Sequence, residues 1–258
     1  MNSRPDLIDV YSDIRSLAAA AARRFLQLSL EAMARRGYFT VALSGGSTPK
    51  ILYALLAADP SLRSAFPWAK THFFFGDERH VPPDNSESNF HMASEAMFNP
   101  LAGETLNIHR IRGELSHATD AAADYEADLQ EFFSKHNELE NGLPRFDLIF
   151  LGMGPDGHTA SLFPGTAALQ ETDRWVVANW VEKFKTDRIT FTYPVLNNAA
   201  ETILLVSGAE KAPVMTEILG SPPARVPHYP VEFVRPRNGV KRWMLDRAAV
   251  PFLPVNQI

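Results

Sequence analysis

The feature that most constrains this chain is a set of short apolar runs, Tyr38–Leu43, Thr71–Phe75 and Phe146–Leu151, each broken off abruptly by glycine or charge. They are too short for helices, and they lack the polar alternation of a strand with one wet face. Such runs mark strands buried on both sides, and strands of that kind sit in parallel sheets covered by helices. The stretches between them carry helical signals. The pattern predicts helices from about Ser12 to Arg36 with Gly37 as the C-terminal cap, and from Thr48 to Ala58 with Pro49 in the first turn. It also predicts helices over Ser88–Phe98, Ala118–Lys135 and Ala209–Leu219. Further strands are expected at Trp175–Val181, Arg188–Tyr193, Thr202–Val206 and Lys241–Leu245. The expected fold class is therefore α/β, a mostly parallel sheet flanked by helices. The proline-rich stretch Ser221–Pro236 is too short for a domain linker and reads as an extended surface loop. With no internal repeat, one domain is expected across residues 1–258.

Composition removes several function classes. A chain of 258 residues, 45% hydrophobic, can bury a substantial core. A net charge of −5 argues against a nucleic-acid partner, whose recognition needs a strongly basic face. It leaves an anionic small molecule open, because a few local cations and oriented N–H groups can hold one phosphate. There is no cysteine, which excludes disulfides, thiolate catalysis and Cys-ligated metal. The alanine-rich stretch Leu17–Leu30 is not expected to be a signal sequence, since Asp6, Asp9 and Asp13 stand where positive charge belongs and Arg23 and Arg24 interrupt it. No apolar run approaches the roughly 18–20 residues that cross a bilayer. A cytoplasmic protein without membrane contact is expected, and both a monomer and a homodimer fit.

Three strand ends hold the unusual residues, and in open α/β sheets ligands bind beyond the carboxyl ends of strands. The first loop is Ser44-Gly45-Gly46-Ser47-Thr48-Pro49. Its glycines let the backbone approach an anion, its hydroxyls can donate, and the helix that follows offers unpaired N–H groups. A capped tight turn is the alternative, and the Gly-Lys-Ser/Thr ending of a Walker loop is missing. The second loop, Gly76-Asp77-Glu78-Arg79-His80, sets four ionisable groups directly after an apolar strand. Arg79 could clamp a phosphate, and Asp77 could orient that arginine or accept from sugar hydroxyls; a solvated turn would also account for them.

The third loop runs Gly152-Met153-Gly154-Pro155-Asp156-Gly157-His158 and satisfies the spacing of a dinucleotide fingerprint. That motif should open a long helix, yet Pro164-Gly165 stops one within about two turns. Pro155 removes an N–H that should face phosphate, Asp156 would repel it, and Asp173 precedes the strand that should carry it. What remains is an Asp-x-His pair at a strand end. Histidine has the intrinsic pKa to take a proton near neutrality, and Asp156 could fix its tautomer or align a water. A metal site is not expected, because no third ligand stands at ligand spacing. Downstream, Lys183, Lys185, Arg188 and Lys211 are candidate phosphate contacts, with solvated lysines as the alternative.

Together these segments resemble the 6-phosphogluconolactonase family. The matching pieces are Leu43–Pro49, Gly76–Arg79 with Ser88-Asn89, Leu151–Gly165, Arg188–Thr192 with Leu196-Asn197, Val206–Ala212 and Trp243–Asp246, in order from about residue 38 to 249. The block Asp156–Pro164 is the most specific of them. The resemblance implies a modified Rossmann-like α/β fold shared with glucosamine-6-phosphate deaminases. It implies hydrolysis of 6-phosphoglucono-1,5-lactone to 6-phosphogluconate in the oxidative pentose phosphate pathway, with no metal or organic cofactor. On the same ground His158 would be the general base, and Arg79 and a lysine near 183 would bind phosphate. Glu182-Lys183-Phe184-Lys185 departs from the Lys-Pro-Pro pattern of some members, so Lys183, Lys185 and Lys211 remain alternatives. The resemblance also covers a deaminase/isomerase of glucosamine 6-phosphate, but those enzymes carry Asn-Glu-Pro where Leu162-Phe163-Pro164 stands, and phenylalanine cannot ionise. A non-catalytic sugar-phosphate sensor is the third reading, and it has no use for the Asp156/His158 pair.

Overall fold

The computed structural model describes residues 6–220 and 227–253. Its strands in chain order are β1 Leu7–Tyr11, β2 Phe39–Leu43, β3 Thr71–Phe75, β4 Asp77–Arg79, β5 Asn107–Ile108, β6 Leu139–Glu140 and β7 Leu143–Pro144. They continue with β8 Leu148–Leu151, β9 Val176–Val181, β10 Thr186–Phe191, β11 Glu201–Val206 and β12 Val240–Asp246. The helices are α1 Ile14–Arg36, α2 Ser47–Ala58, α3 Pro60–Ala65, α4 Asn89–Ala93, α5 Ala118–Lys135, α6 Tyr193–Leu196 and α7 Ala212–Leu219.

Seven strands form the central sheet in the order β1-β12-β11-β8-β2-β3-β5, and every pairing is parallel. All residues of β2, β8 and β11 are buried, which is why their sequences show no polar alternation. From β2 the chain builds outward through β3 to β5, then returns to place β8 on the other flank of β2. The order therefore reverses between β2 and β8, and a crevice opens beyond their carboxyl ends. Two buried tyrosines pin the strand ends nearby. The Tyr53 hydroxyl, from α2, bonds both Ser44 N and Ser44 O at 3.0 Å. The Tyr125 hydroxyl, from α5, does the same to Phe75 N and O at 2.8 and 3.0 Å.

The predicted helix at Ala118–Lys135 and strand at Thr71–Phe75 agree with the structure end for end, and Gly37 caps α1 in the left-handed region at φ 83°. Other elements differ. The segment read as a charged loop after β3 contains β4, which pairs antiparallel with β10, and β10 pairs antiparallel with β9. These three strands make a second, smaller sheet apart from the parallel one. The segment Ser88–Phe98 is α-helical only to Ala93 and continues as a π turn, and Ala209–Lys211 is a 3-10 turn leading into α7. Edge strand β1 has no apolar run to announce it, since Asp9 sits in its middle. The proline-rich stretch is not an extended surface loop where described. Its residues 221–226 lie outside the described residues, but Pro230–Phe233 is a 3-10 turn and Val231 and Val234 are fully buried. No helix opens at Gly157, only turns and a bridge between Thr159 and Leu162 before the short 3-10 turn Ala167–Gln170, so the dinucleotide architecture is absent there. Among the described residues, no helix is long and apolar enough to cross a membrane.

Candidate active site

The crevice holds a cavity of about 270 Å³ lined by the loops after β2 and β8, by β4 and by the end of β11 with the turn that follows it. Ser44, Gly45, Gly46, Ser47, Thr48, Asp77, Arg79, Gly154, His158 and Lys211 all contribute to its wall. Four candidates lie outside that lining: Asp156, Lys183, Lys185 and Arg188. Asn89, Ser207 and Glu210 also line it and were not singled out as site residues from the sequence.

At the first strand end, α2 begins at Ser47 with Gly46 as its N-cap, and no side chain caps it. The N–H groups of its first turn are thus left for whatever enters the crevice. Gly46 has φ 110°, a conformation that favours glycine. Gly45 is set by space instead, because a Cβ there would stand 1.9 Å from Asn89 Oδ1. Asn89 Nδ2 donates to Asp77 O at 2.8 Å, so this amide ties the glycine loop to β4.

Within β4, adjacent acidic residues do different work. Glu78 is buried and accepts from Arg79 N, Asn89 N, Phe90 N and the Ser88 hydroxyl, at 2.6–3.0 Å. Burial pushes its carboxyl up, and these four donors oppose the shift. It is a clamp that fixes the segment 88–90 against the strand. Asp77 faces the cavity and accepts from Ser161 Oγ at 2.7 Å. Arg79 also reaches the cavity, with its guanidinium donating to Glu87 O. Its register partner on β10 is Arg188, a buried cation whose guanidinium is held below its ordinary value by burial and then by the Arg79 charge.

Beyond β8, the His158 Nδ1–H donates to Asp156 Oδ1, which leaves Nε2 as the basic nitrogen. Burial lowers the His158 pKa and outweighs the opposing hydrogen bond and charge of Asp156. Burial raises Asp156, but its bond to His158 and that residue's charge hold it below the usual carboxylate range. The pair at neutral pH is therefore a neutral imidazole on a carboxylate. Lys183, in the turn between β9 and β10, places Nζ 3.4 Å from the other Asp156 oxygen. Lys185 pairs with Glu182 in the same turn and is exposed. The His158 ring stacks on Phe163 with centroids 4.0 Å apart. Gly157 has φ 73° and would drive a Cβ into Tyr229, so the stretch after residue 227 braces this loop from below.

Lys211 enters from the far side, on the 3-10 turn after β11. Its loop is tied to β12 by Asp246, which accepts from Gly208 N at 3.1 Å and from Ser207 Oγ at 2.5 Å. Asp246 closes the family-matching piece Trp243–Asp246, but nothing in the sequence assigned it a role. Asn89 gave no signal either, because its role depends on a glycine 44 positions earlier. Among the described residues, no group of three or more His, Asp or Glu is placed to hold a metal ion.

Comparison with known proteins agrees with this geometry. The family model described as glucosamine-6-phosphate isomerases/6-phosphogluconolactonase matches residues 12–243. The 6-phosphogluconolactonase of Nostoc sp. is 41% identical over 242 residues, covering 94% of this chain and 96% of the relative. That of Haemophilus influenzae is 38% identical over 215 residues, covering 83% and 87%. The solved 6-phosphogluconolactonase from Trypanosoma cruzi superposes with a TM-score of 0.80 at 31% identity, covering 98% of both chains. The chain belongs to the glucosamine-6-phosphate isomerase/6-phosphogluconolactonase family and, within it, stands among the 6-phosphogluconolactonases.

Proposed function

We propose that the crevice hydrolyses 6-phosphoglucono-1,5-lactone to 6-phosphogluconate, with His158 as the general base. The observation that carries this reading is the neutral imidazole of His158, oriented by Asp156, on the wall of a cavity whose other walls carry Arg79, Lys211 and the uncapped N-terminus of α2. A lactone is an activated ester, so water suffices as nucleophile. His158 Nε2 takes a proton from water as the new C–O bond forms at C1, and the carbonyl electrons move onto oxygen. The tetrahedral intermediate then expels the ring oxygen, which takes the proton back from the imidazolium. Gly154 N–H is engaged by His158 O at 2.9 Å, so the oxyanion is left to other donors.

The phosphate fits the α2 N-terminus with Ser47 and Thr48, between Arg79 and Lys211. Lys183 is better placed to hold Asp156 ionised than to touch phosphate, and Arg188 backs Arg79 from the next strand. Asp77 and Ser44 face the sugar. Phe163 stands where the deaminases carry glutamate, which disfavours ring opening and deamination. The reading places the enzyme in the cytoplasm, where sugar phosphates are made.

The test generates the lactone in situ and follows acid release above its spontaneous hydrolysis. His158→Ala is expected to lower kcat by about 10²–10⁴-fold, and a variant that keeps the wild-type excess rate ends the general-base assignment. Arg79→Ala and Lys211→Ala are each expected to raise KM with a smaller change in kcat. Release of ammonia from glucosamine 6-phosphate would overturn the choice of reaction.

A further inference from the structure

We propose that Phe163 is a positioning residue of this site, its ring holding the His158 imidazole in the plane from which Nε2 addresses the cavity. The inference rests on the reading of His158 as the base. The two rings are stacked at 26° with centroids 4.0 Å apart, and Phe163 is buried. A second constraint acts on the imidazole edge, where a Cβ on Gly154 would stand 2.0 Å from Nδ1 and Cε1. The third is the Nδ1–H bond to Asp156. The bond alone would let the ring pivot about its own axis; the flat contact on one face removes that freedom.

Phe163 is itself supported. Phe184, in the β9–β10 turn, meets it edge-on at 5.7 Å and 75°. Lys183 Nζ and the Arg188 guanidinium each lie 5.4 Å from the Phe184 ring centroid. An aromatic column thus joins the His158 loop to the small sheet. It also accounts for a 46% exposed phenylalanine at a hairpin turn, which solubility alone would disfavour.

Charge around the imidazole is fixed by other elements. Asp156 on its own loop and Asp77 on β4 favour the protonated form, while Lys183 from the hairpin opposes it. Arg79 and Lys211 line the same cavity from β4 and from the turn after β11. Burial is the largest influence on His158, and the Phe163 ring supplies one covered face. Replacing the ring by a narrower side chain admits water, weakens that influence, and moves imidazole protonation up toward its ordinary 6.5.

The experiment compares intact wild type, Phe163→Leu, Phe163→Tyr and His158→Ala by pH profiles of kcat and KM and by NMR titration of the His158 ring. Phe163→Leu is expected to lower kcat roughly 10-fold with KM within about 2-fold, through misalignment of the base. Its acidic limb and its His158 titration are expected to move up together. Phe163→Tyr keeps a flat face and is expected to retain the wild-type limb. The proposal fails if Phe163→Leu keeps the wild-type kcat, limb and titration. It fails equally if both Phe163 variants lose activity in step with thermal stability while the titration stays put, which is packing alone. If His158→Ala keeps its activity, the general-base reading fails instead, and the NMR titration still decides whether Phe163 governs that imidazole.

Discussion

A Cβ on Gly154 would meet the His158 ring at 2.0 Å and Asp156 Oδ1 at 2.7 Å, so this glycine makes room for the dyad. Gly154→Ala is expected to push the imidazole out of line and lower kcat by about 10²-fold. Thermal unfolding should change little, because the neighbours that must move are side chains at a cavity wall. Steady-state kinetics beside a melting curve checks this, and a variant with full kcat would show that the loop shifts instead. Gly45→Ala should act differently, since its Cβ would collide with an amide anchored to β4. There the expected effect is a raised KM, as the α2 N-terminus moves away from its anion. At this scale the sequence marked Asp156, His158 and Arg79, because charged residues bracketed by glycine after an apolar run have few structural uses. Phe163 was marked only as what separates this chain from the deaminases and Asn89 only as part of a family match; the contacts each makes at the site were not legible. An aromatic and an amide have many ordinary uses, and what singles them out is a partner elsewhere in the fold.

Among the elements, β4 shows how a strand can look like a loop. Asp77-Glu78-Arg79 is among the least strand-like triplets in the chain, yet Glu78 finds four donors and Asp77 finds Ser161. Three of those donors come from residues 88–90 and Ser161 lies in the His158 loop, so no local window contains the compensation. The other end of the neighbouring strand β3 carries His72, whose Nδ1 lies 3.2 Å from His109 Nε2; His109 in turn meets Asp128 at 3.1 Å. Burial, then the His109 and His136 charges, lower His72 from 6.5 to about 4. The unfolded chain binds this proton near pH 6.5, whereas the folded chain refuses it until about 4, so stability falls as pH drops through that window. His72→Phe is expected to flatten that part of the stability curve, read by urea unfolding at pH 7 and pH 5. An unchanged loss between the two would assign it to other groups.

Across the whole molecule, the two ends of the sheet are specialised. The carboxyl ends of β2, β3, β8 and β11 frame the crevice, while the opposite ends are tied by two buried carboxylates that pair with arginines nearer the surface. Asp147, just before β8, accepts from Arg35 at 2.7 Å, from Arg36, and from Thr40 N and Oγ1 at 2.9 and 3.1 Å. Glu201, opening β11, joins Arg24 to Arg242. Asp147→Ala leaves Arg36 its Glu138 partner and Arg35 in solvent, but it takes the acceptor from buried Thr40 N and Oγ1, so it is expected to cost about 1–3 kcal/mol of stability. KM should not change in the fraction that remains folded, since the site is at the far end of β8; chemical denaturation and kinetics on the same preparation would show it. The sequence by itself determined the alternation of buried strands and helices, the loops that carry chemistry, and the Asp156/His158 pair, because each is written in contiguous residues. Only the tertiary structure decided that β2 and β8 are neighbours across the reversal, and so which loops face one another. It also put Lys211 on the cavity wall and Lys183 behind Asp156, split off the antiparallel sheet, and laid Phe163 on His158. Those outcomes depend on strand order and packing between segments tens of residues apart, which no local periodicity encodes.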